Sequence, residues 1–421
     1  MKKKLLALVL CLVMVTVAVV ALVACDDGDY DYKITVWVGE GTKEFTEDLI
    51  KEFNKTNADG IKFKATVQMV SEKAAAGDVI SKPQSAADIF CFAQDQLARL
   101  VQSGMLAPLN TPSQTFITEN NTASSVKAAE IGGTIRAFPL TADNGYFMYY
   151  DKRVVSEDHI GSLEEILADC KDKSKNFSMN LAEDGGAWYA ASFFYAMGCQ
   201  SEWETNDNGT FKSYNDTFNS DNGILALKAM KKVLDCGFHM NSDKVADFTA
   251  GTPSGVVISG IWDYNAAKKA LGTNLGVAPL PSFTDANGQS HQLKTYLGHK
   301  LMGVSQQSDG RKSYYLQQLA AYLTGEQVQL ARFNKVGWGP TNINLQDNQD
   351  VLNSEALKVI ANSATMLQGQ YPTNWWTQVV LMAGKAKNDK TSTKGDAELQ
   401  AALKAYADKL TDLKNGVGDN K

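Results

Sequence analysis

The chain has 421 residues, 47 of them acidic and 41 basic, for a formal charge of −6 at pH 7. An acidic balance without a Lys/Arg stripe argues against a nucleic-acid partner, and the length exceeds what one core supports, so two lobes are expected. None of the motifs G-x-S-x-G, H-E-x-x-H, P-loop or G-x-G-x-x-G occurs, which leaves no catalytic or nucleotide-binding signature.

Lys2, Lys3 and Lys4 precede an apolar run from Leu5 to Ala24. Such a run is a secretory signal or a membrane anchor and stands outside the fold. It ends in Leu22-Val23-Ala24-Cys25, which resembles the lipobox of exported bacterial lipoproteins, and the polar stretch from Asp26 to Asp31 reads as a tether. That resemblance implies cleavage before Cys25, residues 25–32 as tether, and a diacylated cysteine holding the chain to the outer side of the cell membrane; two acyl chains give stable anchoring. An uncleaved spanning helix is the alternative, and it leaves the rest of the chain on the same side. Removing residues 1–24 takes away three lysines and no acid, so the formal charge becomes −9. The later cysteines, Cys91, Cys170, Cys199 and Cys236, form no C-x-x-C pair. Cys236 and His239 lack a second ligand pair, so no zinc site is expected and core thiols are.

Lys33–Val38 alternates and is β-branched, which predicts a strand; Phe45, Leu49, Ile50 and Phe53 predict a helix over 43–54; and Ile61–Val70 alternates again. This β-α-β order opens an α/β lobe with a parallel sheet. Asp88–Ala93 reads as a short strand followed by a helix from Asp95, with Gly104 past its end. Further on, Phe147–Tyr150 is a strand, Ser162 to Glu165 a capping box, and Asn222 the expected cap of a helix closed by Gly237. Residues 255–259 and 275–279 are buried strands, and Leu399, Leu403, Tyr406, Leu410 and Leu413 predict a closing helix stopped by Gly416.

Seven short segments in order resemble the maltose/maltodextrin-type solute-binding proteins of ABC importers, over about residues 33–413. They are Lys33–Trp37, Ala87–Phe90 with Asp95 and Gln102–Leu109, Gly132–Pro139, Tyr149–Lys152, Gly260–Trp262, Pro279–Pro281 and Gly337–Pro340. The resemblance implies a two-lobed α/β fold of the type II periplasmic-binding-protein kind, with mixed or parallel sheets flanked by helices and ligand in the cleft. It implies one lobe from 33–141 plus 289–340 and another from 145–283 plus 345–421. The crossings fall near Thr141–Gly145, Ser282–Gly288 and Pro340–Asn344, and Gly145 and Gly288 are suited to hinge closure. It implies capture of an oligosaccharide, foremost a starch-derived maltooligosaccharide, for a membrane permease. No enzyme activity, cofactor or metal is implied, and the protein is expected to be a monomer.

A sugar offers apolar C–H faces and a girdle of hydroxyls, so its site needs flat aromatic rings and polar edges. Position relative to the family places Trp262, Trp375, Trp376, Trp188 with Tyr189, and Phe92 as platforms. Asp95, Gln96, Glu40, Asp143, Asn144 and His299 follow as polar partners. Trp37, inside an alternating strand, is expected in the core, and Trp203 anchors a polar loop. Gln96 stands where maltose-specific members resemble one another in an arginine, and Phe92 where they have tryptophan, which puts maltose itself in doubt. Other solutes remain open, and an extracellular glycoside hydrolase would require two carboxylates across a scissile bond that the sequence does not single out.

Overall fold

The computed structural model describes residues 29–183, 185–388 and 394–416. The signal run, the lipidation at Cys25 and the loop residue Asp184 lie outside the described residues. Among those described, no helix is long and apolar enough to cross a membrane.

Two sheets organise the chain, one per lobe. The first has the strand order 365–367, 295–304, 89–93, 32–38, 63–69, with 138–144 also pairing with 295–304. Tyr32–Val38 pairs in parallel with both Phe63–Met69 and Ile89–Ala93, so the expected β-α-β opening forms. Helix Lys43–Thr56 buries Ile50 and Phe53 against it. Strand alternation then divides the sheet's two faces. Ile34, Val36, Val38, Ile89 and Cys91 join the core under helices 43–56 and 310–323, while Trp37, Phe90 and Phe92 face helices 72–81 and 97–102.

The second sheet runs 239–240, 176–178, 254–260, 146–151, 275–278. One side carries the helices 186–196, 221–234, 375–384 and 396–407, with Phe194, Phe218, Trp375, Leu399 and Tyr406 among the side chains that fill the space between them. Helix 264–271 packs on the other side through Ala267 and Leu271, and helix 355–361 through Ala356 and Ile360. The cap of 221–234 is Ser220, whose Oγ accepts from the Gly223 amide at 3.3 Å; Asn222 instead donates to the Met197 carbonyl. Trp203 lies in a hairpin strand, Ser201–Thr205, with its indole on Tyr214. The closing helix breaks into 396–407 and 410–414.

Three passages join the lobes. Phe138–Asn144 runs through Gly145 into Tyr146–Asp151. A Cβ at Gly145 would stand 2.3 Å from the Tyr296 carbonyl oxygen, so glycine there permits the close approach of two crossing segments. The expected crossing at Ser282–Gly288 is instead a hairpin, 282–284 with 290–292, whose Phe283 and neighbouring Leu293 belong to the second lobe's core. Gly288, at φ 81°, serves its turn. The chain crosses later, within strand 295–304. Tyr296 is buried in the second lobe's core, whereas Lys300–Val304 pair with 89–93 in the first sheet. The third passage is tied to the first, for the Gly339 amide donates to Asp143 Oδ2 at 2.5 Å and the Ala142 amide to the Gly339 carbonyl at 3.1 Å.

Candidate functional site

Between the lobes lies a cleft of about 750 Å³, within the size range of small-molecule sites. Glu40, at the tip of the first strand, faces it from one lobe. From the other come Asp243, Lys244, Trp262, Asp263 and Lys269. Trp262 is placed by the end of strand 254–260. Ser259 Oγ donates to Asp263 Oδ2 at 2.6 Å and fixes the turn, and the absence of a side chain at Gly260 lets the indole fold back over the backbone. Burial raises the Asp263 carboxyl above its ordinary range, and the charges of Asp243 and Glu40 push it the same way. Asp243 accepts from Tyr189 Oη at 3.1 Å, so this buried tyrosine positions a wall carboxylate and offers no face of its own.

Opposite Trp262 stands Lys300, on the first lobe. Its ammonium lies 3.0 Å from Glu72 Oε1, 4.0 Å from the centre of the Trp338 ring and 5.3 Å from that of Trp262. The buried cation is thus paired with a carboxylate and lies against two indole rings. Sequence reading singled out none of Lys300, Glu72, Asp243, Asp263 and Lys269. Two of them adjoin residues it did select, Asp263 beside Trp262 and Lys300 beside His299, and that adjacency was the available signal.

Several selected residues have other duties. Phe92 is fully buried against Phe90, because the period of two turns both rings beneath the same helices. Trp375 is equally buried, stacked on Tyr371 at 4.0 Å, with Nε1 donating to Tyr406 Oη at 2.9 Å, and is a core residue. His299 lies inside strand 295–304 and is buried. Its Nδ1 is 3.0 Å from Gln94 Oε1 and its Nε2 3.1 Å from Ser125 Oγ. Gln94 Nε2 donates to the Gln368 carbonyl, which leaves Oε1 as an acceptor and assigns the ring proton to Nδ1. Burial holds His299 down to about 4. Asp143 and Asn144 are buried at the first crossing, bonded to Gly339 and Gln368.

Asp95 and Gln96 form a polar knot that ties the lobes together. Asp95 Oδ2 accepts from Gln96 Nε2 at 2.7 Å and from Trp376 Nε1 at 3.0 Å, and Oδ1 from Gln368 Nε2 at 3.1 Å. Trp376 comes from helix 375–384 of the second lobe, and Gln368 follows strand 365–367, which pairs with residues 295–297 where the chain passes between the lobes. Desolvation raises Asp95 to about 6 despite three donors. Gln370 adds bonds to the Ala98 amide and the Gln94 carbonyl. Trp376 is thus half-buried at the lobe contact, and Trp188 stands among aromatic rings, 5.9 Å from Trp262 and 6.1 Å from Tyr296 by ring centres. No group of three or more His, Cys, Asp or Glu side chains able to hold a metal is found among the described residues.

Comparison with known proteins adds the lineage. A family model described as bacterial extracellular solute-binding protein matches residues 48–359. A structure solved with acarbose shares 25% identity at a TM-score of 0.77, covering 90% of this chain and 98% of the other. The maltodextrin-binding protein MalE1 from L. casei BL23, without ligand, shares 20% at 0.73, covering 91% and 98%. The maltotriose-binding protein of Thermus thermophilus, bound with maltotriose, shares 19% at 0.69, covering 91% and 100%. No curated protein sequence matches significantly. With its two lobes and the cleft between them, the chain belongs to the family of bacterial extracellular solute-binding proteins.

Proposed function

We propose that this protein captures an oligosaccharide, foremost a starch-derived maltooligosaccharide, outside the cell and hands it to the permease of an ABC importer. The observation that carries this reading is the half-buried indole of Trp262. It opens onto an inter-lobe cleft whose edges are Glu40, Asp243, Asp263 and Lys269. A flat apolar face ringed by carboxylates and an ammonium matches a pyranose, which stacks through its C–H face and hydrogen-bonds through its edge. Similar proteins solved with maltotriose and with acarbose support the same solute class.

Closure follows from the division of the site. Glu40, Glu72 and Lys300 stand on one lobe, and Trp262, Asp243 and Asp263 on the other. A ligand that touches both favours the closed form by its differential affinity for it. The reading is of a binder and not a catalyst, a monomer without cofactor, held to the membrane by a diacylated Cys25. Burying one platform face is worth about 1–2 kcal/mol, so edge hydrogen bonds must supply the remainder of micromolar binding. Calorimetry against maltose through maltoheptaose tests it. Binding with release of heat and unchanged sugar afterwards is expected; shortened products would make it a hydrolase, and no heat with any glucan would remove the sugar reading.

A further inference from the structure

Lys300 is a buried cation of the first lobe whose partners come from three parts of the molecule. It pairs with Ala93 and Thr141 in the first sheet, and its side chain is only 7% exposed. Glu72, in the first turn of helix 72–81, holds the ammonium at 3.0 Å. Trp338, where the third passage between the lobes begins, lies 4.0 Å from it by ring centre. Gly39 makes room for both, since a Cβ there would stand 2.2 Å from Glu72 Oε1 and 2.8 Å from the Trp338 ring. Glu72 and Trp338 sit on the first lobe and the passage beside it, so lobe separation leaves these contacts in place. The remaining partner is different. Trp262 belongs to the second lobe, packs against the same apolar cluster as Trp338, and brings its ring centre to 5.3 Å from the ammonium. That is inside the ~6 Å reach of a cation–π contact, which is strongest where water is excluded. Glu72 and Trp338 already fix the long side chain, so little rotamer entropy is left to lose when the indole arrives.

We propose that Lys300 is a positioning residue that clasps Trp262 across the lobes, so that their approach is stabilised by a preset ammonium as well as by the ligand. Lys300 acts through the orientation of Trp262 and the separation of the lobes, and its effect is the same whatever the length of the sugar. This rests on the carbohydrate reading above, in which Trp262 is the platform, and adds what holds that platform in place.

The pair Lys300→Met and Glu72→Gln is made together, since Met alone would leave a buried carboxylate unpaired. Calorimetry with maltose, maltotriose and maltoheptaose should show a loss of at least about tenfold. The factor should be equal for the three sugars, because a smaller closed population scales every apparent Kd alike. Lys300→Arg, which still offers a cation to the indole, should stay within about threefold of the parent. In a Trp262→Leu background the paired change should cost no more than about twofold. Equal losses in both backgrounds, a loss that grows with sugar length, or an Arg loss as large as the Met loss each overturn the clasp. Small-angle X-ray scattering without sugar supplies a readout independent of the ligand. The paired variant, shown folded by circular dichroism, should have a larger radius of gyration than the parent, and an unchanged radius overturns the clasp. Should the paired variant fail to fold, Trp262→Leu with Lys300 intact tests the same contact by scattering, with the same two outcomes. If no glucan binds the parent, the carbohydrate reading falls, while the scattering still decides the clasp.

Discussion

Replacing His299 with Gln should tilt the protein's stability toward acid, because it removes a buried titration that opposes that of Asp95. His299 ionises at about 4 in the folded chain, against an ordinary 6.5. Its contribution is present above pH 6.5 and is lost as pH falls toward 4, since the unfolded chain takes up the proton first. Asp95 is the reverse case, raised from 3.8 to about 6 by desolvation. The folded state is penalised above pH 6 and relieved as pH falls, because there it holds the extra proton. Between pH ~7.5 and ~4.5 each change amounts to about 2 kcal/mol, with opposite signs, so they nearly cancel in the parent protein. The Gln variant keeps a donor for Gln94 and an acceptor for Ser125 but cannot titrate. Relative to the parent it should gain about 2 kcal/mol on that descent, and Asp95→Asn should lose about as much. Urea unfolding followed by circular dichroism at fixed pH steps reads this directly, with the slope on denaturant checking that the transition stays two-state. Curves for both variants running parallel to the parent, within about 0.5 kcal/mol, would refute the reasoning.

Other outcomes follow from the same geometry. Trp262→Ala should weaken glucan binding at least about tenfold, about 1.4 kcal/mol, without unfolding the protein; calorimetry at equal folded fraction checks it. Trp375→Ala should instead cost about 3–5 kcal/mol of stability, the range for a buried aromatic, and affinity per folded molecule should stay close to the parent's. Gly145→Ala must push a methyl into the Tyr296 carbonyl and should cost about 1–3 kcal/mol in thermal or urea unfolding. Cys91 is buried and its thiol is pushed up to about 12, so a thiol reagent should label it only after denaturation.

The lobed α/β architecture was legible in the sequence because it rests on local signals. Alternation at 33–38 and helical spacing at 45–53 specify which faces must be buried. The same alternation, carried one step further, would have placed Phe92 with Phe90 in the core; position relative to the family outweighed it. Trp262 was selected because it follows a buried strand and stands at a strand's end, and the structure places it on the cleft wall. The order of segments likewise pointed to the solute-binding family, which the family match then supported on its own terms.

What the sequence determined by itself was therefore the list of elements, the faces they hide and the family they resemble. Tertiary structure alone decided which aromatic rings remain free. Trp375 and Trp376 are neighbours in the chain, yet one sits in the helix core and the other donates across the lobes to Asp95. Adjacent helical positions point about 100° apart, so only the packing of neighbouring helices settles which of them meets the core. Lys300 and Glu72, 228 positions apart, meet only because strand 295–304 returns to pair with 89–93 in the first sheet. Contacts at that separation have no local signature, and it is they that shape the cleft.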